Sequence, residues 1–190
     1  MEEIRRGFAE ASRVLQAFME APETWQKMQQ AGDLMVETLR SGGKILSCGN
    51  GGSMCDAMHF AEELSGRFRL DRRPLAGLAL SDVSHMSCVA NDFGYDYVFS
   101  KQVEALGRPG DLLLGISTSG NSRNVLEAVA AARRAGMKVV GLTGKSGGEM
   151  ASLCDVEIRA PKTEFSDRAQ EIHEKVIHSL VHYIELELGL

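Results

Sequence analysis

The sequence has few of the features that mark membrane, secreted or nucleic-acid-binding proteins. Its apolar runs, such as Leu112-Leu113-Leu114, are a few residues long, whereas a membrane-spanning helix needs roughly 20. Aromatic residues make up only 6% of the chain, and 26 acidic residues outnumber 21 basic ones, so the net charge is −5. A nucleic-acid-binding module normally carries a basic stripe or stacking aromatics. The composition therefore excludes a membrane span and counts against a nucleic-acid partner.

Cysteines are also few, and no two of them form a C-x-x-C pair. The N-terminal residues Met1 to Arg6 have neither the basic start nor the apolar stretch of a signal peptide. Both observations predict a cytoplasmic protein with reduced thiols that behave as small apolar side chains. The four cysteines are Cys48, Cys55, Cys88 and Cys154.

What is present is the composition of one globular domain: 190 residues, 44% hydrophobic and 25% charged. Residues 1–40 have apolar side chains at helical spacing and predict two helices with a break near Ala21-Pro22. Residues 41–165 alternate short apolar runs with helical stretches, and residues 166–190 predict a last helix. We therefore expect a single three-layer α/β/α domain with a central parallel five-stranded sheet and an added N-terminal helical pair.

The five predicted strands are Lys44–Cys48, Leu75–Leu80, Asp111–Ile116, Lys138–Leu142 and Val156–Ala160. Ligands of parallel sheets bind beyond the carboxyl ends of the strands. The loop after the first strand contains Gly49, Gly51 and Gly52, followed by Ser53, which could cap the next helix. Met54 occupies the third glycine position of a dinucleotide fingerprint, so we expect either close backbone approach to another ligand or a plain glycine turn.

The loop after the third predicted strand reads Ser117-Thr118-Ser119-Gly120-Asn121-Ser122 and directly precedes a helix. Hydroxyls, backbone amides and a helix N-terminus all offer donors to one point, which suits a phosphate monoester. The alternative is that Asn121 or Ser122 only caps the helix. Gly144-Lys145-Ser146 is not a nucleotide-binding P-loop, because Val139 stands where that motif needs glycine.

Two predicted helices carry titratable side chains at helical spacing. His59 and Glu63 are four residues apart and share a face, which suits metal binding or acid–base work, although such a pair is more often an exposed helix contact. On the last helix His178 shares a face with His182 but not with His173. Packing or solvent exposure is the alternative for each histidine. The basic cluster of Arg67, Arg69, Arg72 and Arg73 predicts a solvated loop, from which Arg67 could reach a phosphate or a hydroxyl.

Taken together, these segments resemble the sugar isomerase (SIS) domain family over essentially the whole chain. The resemblance is carried by Ser47–Ser53, Cys55–Leu64, Ser81–His85, Asn91–Gly94, Gly115–Ser122 and Asp167–His173. It implies isomerisation of sedoheptulose 7-phosphate to D-glycero-D-manno-heptose 7-phosphate through an enediol, as a first step of heptose synthesis for lipopolysaccharide or a related surface polysaccharide. It also implies a homotetramer with sites at subunit interfaces, and neither nucleic-acid nor membrane partners.

The resemblance also implies roles for individual residues. Glu63 and His178 are the acid–base pair, and one zinc ion per subunit is bound by His59, Glu63, Gln170 and His178. The substrate-binding set is Asn50, Gly51, Gly52, Ser53, Glu63, Arg67, Asn91, Asp92, Ser117, Thr118, Ser119, Ser122, Asp167 and Gln170. Metal binding and base catalysis compete for the oxygens of Glu63, which predicts a labile metal.

Two non-enzymatic functions remain as alternatives. A related SIS-fold tetramer binds the bacterial replication initiator without isomerase chemistry, and a sugar-phosphate-sensing regulator would keep the hydroxyl loop without the acid–base pair. The joint presence of His59, Glu63 and His178 favours the enzyme over both.

Overall fold

A five-stranded parallel sheet forms the centre of the protein. The computed structural model describes residues 1–190, and every neighbouring pair of strands in it is parallel, in the order β2-β1-β3-β4-β5. This arrangement confirms the predicted fold class. The strands are β1 (Ile45–Gly49), β2 (Gly77–Ala79), β3 (Leu112–Ser117), β4 (Lys138–Thr143) and β5 (Val156–Arg159).

Seven α-helices surround the sheet, and none of them is long and apolar enough to cross a membrane. Helices α4 and α5 were not predicted from the sequence. Helix α4 buries only Val89 and α5 has only seven residues, so neither has a clear apolar stripe. The helices are α1 (Glu2–Glu20), α2 (Thr24–Arg40), α3 (Gly52–Ser65), α4 (Val83–Asp92), α5 (Ser100–Leu106), α6 (Arg123–Arg134) and α7 (Ser166–Leu188).

The side chains of the strands alternate between two hydrophobic clusters, one on each face of the sheet. On β3, Leu112 and Leu114 pack with α2, α3 and α7, whereas Leu113 packs with α5 and α6. Every residue of β1 and β3 is buried because helices cover both faces, as is usual for a parallel sheet. The continuous apolar runs of the sequence therefore belong to central strands.

The order of the strands locates a crevice above the sheet. Strand β1 lies between β2 and β3, so the chain leaves β1 toward one edge and leaves β3 toward the other. Gly49 pairs with Ile116, which brings the ends of these two strands side by side. The glycine loop and the hydroxyl loop identified in the sequence follow these strand ends.

Helix α7 has a buried titratable residue on its inner face. The His173 side chain is fully buried, and its Nε2 lies 2.8 Å from the carbonyl oxygen of Thr143, to which it donates. Its Nδ1 is buried without a partner. Burial lowers the pKa of His173 to about 4, against a partial rise from the hydrogen bond to Thr143. The imidazole is therefore neutral in the folded protein near pH 7.

This neutral histidine predicts a loss of stability in acid. His173 binds a proton below about pH 6.5 in the unfolded chain but only below about pH 4 in the folded chain. Because the unfolded state binds more protons between these values, the free energy of unfolding falls as the pH falls. Between pH 7.5 and pH 5, the titration of His173 lowers the free energy of unfolding by about 2 kcal/mol. His173→Gln keeps an N–H donor but does not titrate, so denaturant titrations at the two pH values should show a smaller loss than in wild type. Equal losses in the two proteins would contradict the assignment.

Candidate active site

The hydroxyl side chains of the loop after β3 gather at one point. Ser117 Oγ lies 2.9 Å from Ser122 Oγ and 3.5 Å from Ser119 Oγ, which accepts a hydrogen bond from the backbone N–H of Asn121. Ser122 is in the N-cap position of α6 but makes no capping hydrogen bond, so the alternative that it only caps this helix is wrong. Thr118 is half-buried in the same loop. The group presents several donors in front of a helix N-terminus.

The glycine loop after β1 is held by a pair of amide hydrogen bonds. Asn50 and Asn124 each donate Nδ2 to the other's Oδ1 at 2.8 Å, and the Tyr95 hydroxyl donates to Asn50 Oδ1 at 3.2 Å. Asn124 is buried, so the pair ties this loop firmly to α6. The expectation that Ser53 caps α3 is wrong, because the helix begins at Gly52 and Ser53 is buried inside its first turn.

The start of α7 touches both loops. At Gly52 the side-chain amide of Gln170 fills the space that a Cβ would occupy, so this amide lies directly against the N-terminus of α3. A side chain at Gly144 would likewise press against Ala169 and the carbonyl oxygen of Thr118. Helix α7 therefore begins beside the hydroxyl loop and the glycine loop and continues along α3.

Further along, α3 and α7 bring a compact His/Glu cluster together. His59 Nε2 lies 3.1 Å from His178 Nε2, 3.1 Å from Glu63 Oε1 and 3.3 Å from Glu174 Oε1. Glu174 Oε1 is also 3.3 Å from His178 Nε2. The cluster is two His/Glu pairs, each at spacing i,i+4, on two facing helices. We call His59, Glu63, Glu174 and His178 the His/Glu cluster.

The cluster could hold a metal ion. His59, Glu174 and His178 each offer one ligand atom within 4.8 Å of the others. The measured separations of 3.1–3.3 Å fit zinc, because bonds of about 2.0–2.1 Å place tetrahedral ligand atoms about 3.3–3.4 Å apart. Glu63 Oε2 is buried without a partner, which leaves it free for a ligand or a proton.

Sequence reasoning missed two acidic residues at this site. The signal for Glu174 is its i,i+4 spacing to His178, which repeats that of His59 and Glu63. Asp56 lies one turn before His59 and is buried, with Oδ2 unpartnered. Burial raises the pKa of Asp56 to about 7, with a further rise from Glu174 and a partial offset from His59.

The basic segment after α3 is only partly the solvated loop that the sequence predicts. Arg72 is buried, donates to the carbonyl oxygens of Glu63 and Leu64 at 2.6 and 2.7 Å, and pairs with Glu185 of α7 at 2.9 Å. The solvated-loop prediction is therefore wrong for Arg72, which fixes the end of α3 against α7. Arg67 is exposed and makes no hydrogen bond.

Other residues of the predicted site make contacts outside the His/Glu cluster in the single chain. Asn91 and Asp92 are exposed at the end of α4 and hydrogen-bond to each other at 2.7 Å. Asp167 is exposed in the first turn of α7 and pairs with Arg168 at 3.0 Å, which lowers the pKa of Asp167. Gln170 contacts Gly52 and makes no hydrogen bond to the cluster.

Comparison with known proteins shows the family of this chain. The profile of the SIS domain family matches residues 8–144. The chain belongs to the SIS domain family. Among its SIS-domain relatives, phosphoheptose isomerases of Aeromonas hydrophila and Salmonella paratyphi B are each 58% identical, over 188 and 185 residues. These alignments cover 99% and 97% of this chain and 98% and 96% of the relatives.

Solved structures of this SIS family share the same architecture. The phosphoheptose isomerase of Neisseria gonorrhoeae superposes with a TM-score of 0.90 at 44% identity, covering 97% of this chain and 98% of that one. The Francisella tularensis phosphoheptose isomerase gives a TM-score of 0.91 at 38% identity and covers 97% of both chains. The likeness therefore extends over nearly the full length.

Proposed function

We propose that this SIS-domain chain is an aldose–ketose isomerase that converts sedoheptulose 7-phosphate to D-glycero-D-manno-heptose 7-phosphate. The observation that carries the proposal is the His/Glu cluster, in which the Nε2 atoms of His59 and His178 approach to 3.1 Å from two facing helices. Relatives that are 58% identical over nearly their whole length are phosphoheptose isomerases. A replication-initiator-binding tetramer or a sugar-phosphate sensor would not need this cluster.

The phosphate group of the substrate would bind at the hydroxyl loop, to Ser117, Thr118, Ser119 and Ser122. Their hydroxyls and the N-terminus of α6 supply donors without a cationic side chain. From there the sugar would extend past Asn50, Gly51 and Gly52 and along α7. His178 is two turns, about 12 Å, beyond Gln170 along the helix axis, which suits an extended sugar chain with its carbonyl end at the cluster.

The acid–base work would fall to Glu63 and His178. Isomerisation moves a proton between neighbouring carbons through an enediol, so one base must reach both carbons while a second group moves the hydroxyl proton. Glu63 suits the first task because its side chain is only 12% exposed and its Oε2 has no partner. His178 is 43% exposed and suits the second, together with ring opening.

We further propose zinc as the cofactor, with His59, Glu63, Gln170 and His178 as the set implied by the family. Imidazole nitrogens and carboxylate oxygens are donors that suit this ion, and His59 Nε2 lies 3.1 Å from both His178 Nε2 and Glu63 Oε1. When bound, zinc supplies a Lewis acid that polarises the sugar carbonyl. The lining residues keep their own tasks: the histidines orient the sugar oxygens and Glu63 holds the proton. Asn91, Asp92, Arg67 and Asp167 stay predicted substrate contacts.

A cytoplasmic homotetramer with shared sites also remains a proposal. The cluster is open to solvent in the single chain, since His59 and His178 are 37% and 43% exposed. A neighbouring subunit would cover it and exclude water from the enediol. Helix α1 offers an apolar surface for such a contact, with Ile4 and Phe8 59% and 77% exposed. The product would feed heptose synthesis for lipopolysaccharide or a related surface polysaccharide.

The phosphate site predicts a binding defect in the double variant Thr118→Ala/Ser119→Ala. Each hydroxyl bond to a charged group contributes about 1.5–3 kcal/mol, so KM for sedoheptulose 7-phosphate should rise by about tenfold or more. Ser146→Ala, an exposed serine in the loop after β4, is the control and should leave KM unchanged. An unchanged KM in the double variant would place the phosphate elsewhere.

The acid–base pair predicts that Glu63→Gln and His178→Gln each lower kcat by about 10²–10⁴-fold with the fold intact. Steady-state assays with sedoheptulose 7-phosphate measure the loss, and fructose 6-phosphate serves as the contrast substrate. Glu62→Gln and His182→Gln change a neighbouring group of the same type and should keep most of the turnover. Near-normal turnover in either Glu63→Gln or His178→Gln would contradict the proposal.

The apolar surface of α1 predicts that Phe8→Glu lowers the molecular mass in solution. A carboxylate in an apolar subunit contact is costly, so the assembly should dissociate at micromolar concentration. Ala9→Glu adds the same charge on an adjacent exposed position of α1 and should keep the wild-type mass. Light scattering after size exclusion measures both, and an unchanged mass for Phe8→Glu would move the interface elsewhere.

A further inference from the structure

We propose that Glu174 is a ligand of the metal ion, so that the ion is shared by His59, Glu174 and His178. This inference rests on the proposed function for the presence of a metal and adds a ligand that neither the sequence motifs nor the resemblance assigns. Glu174 Oε1 lies at 3.3 Å from both histidine nitrogens, which are themselves 3.1 Å apart. The three atoms form one nearly equilateral face of a coordination polyhedron.

Hydrogen bonding alone does not account for the crowding around His59. Its Nε2 carries either one hydrogen or one lone pair, yet His178 Nε2, Glu63 Oε1 and Glu174 Oε1 all lie within 3.3 Å of it. A single N–H can point at only one of these atoms. A cation bound by the two imidazole nitrogens and Glu174 Oε1 satisfies these three atoms at once, because each then directs a lone pair at it.

The charges around the cluster also favour a cation. Glu63 and Glu174 lie within 3.3 Å of His59, and no lysine or arginine forms an ion pair with either carboxyl group. Two arginines of the segment after α3 contact other groups, Arg72 with Glu185 and Arg69 with His182. A divalent ion would balance this negative charge, which the chain itself leaves without a basic partner.

Glu174 also resolves the competition for the oxygens of Glu63. If Glu63 were the only carboxylate ligand, base catalysis and metal binding would draw on the same group. With Glu174 on the ion, the buried Oε2 of Glu63 is left to accept the proton from carbon. Glu174 is 35% exposed, so the ion can enter from solvent on the side where Glu174 lies.

The test measures metal binding directly on the full-length protein. Zinc affinity is determined by competition with a chromophoric chelator, and the visible spectrum is recorded after substitution with cobalt(II). Glu174→Gln should raise the Kd for zinc by about tenfold or more and change the cobalt absorption bands. Glu62→Gln removes an equal charge from an exposed position of α3 and should change neither.

A second variant separates ligation from charge. Glu174→Asp keeps the negative charge but withdraws the carboxylate by one methylene, and it should also weaken zinc binding. Wild-type affinity in Glu174→Gln, a cobalt spectrum unchanged by it, or wild-type affinity in Glu174→Asp would each overturn the assignment. The isomerase assay is run in parallel: wild type that fails to convert sedoheptulose 7-phosphate would remove the proposed function, while the zinc and cobalt results still decide the role of Glu174.

Discussion

The packing of α7 against α3 is the contact on which the rest of the site depends. At one end of the contact, the Gln170 amide fills the space that a side chain at Gly52 would occupy. The far end of the contact is fixed by the buried pair of Arg72 and Glu185, with Arg72 also bound to the last carbonyls of α3. Between these two points the Nε2 atoms of His59 and His178 are held 3.1 Å apart.

The sheet supplies the second half of the site. Because β1 and β3 are neighbours whose connections leave in opposite directions, the glycine loop and the hydroxyl loop open a crevice above their ends. The Asn50–Asn124 amide pair ties these two parts of the chain together. Hydroxyl and amide donors therefore lie at the strand ends and titratable groups along the helices, so in the proposed function substrate anchoring and proton transfer fall to different parts of the chain.

The acidic net charge of −5 takes on a specific meaning in this arrangement. The anion site consists of hydroxyls and backbone amides, which need no excess of lysine or arginine. The carboxylates instead concentrate at the His/Glu cluster, where Asp56 is buried and Glu63 is nearly so. This distribution fits the proposed function, in which a cation binds at the His/Glu cluster and a phosphate binds at the hydroxyl loop.

Sequence alone determined the fold class, the two loops and the His59/Glu63 pair, because these follow from periodicity and local spacing. It also identified His178, through a resemblance carried by its motifs. Only the tertiary structure decided the order of the strands, the burial of Arg72 and the position of Glu174 beside both histidines. These features depend on which strands pair and which helix faces pack together, and i,i+4 spacing within one helix carries no information about the neighbouring helix.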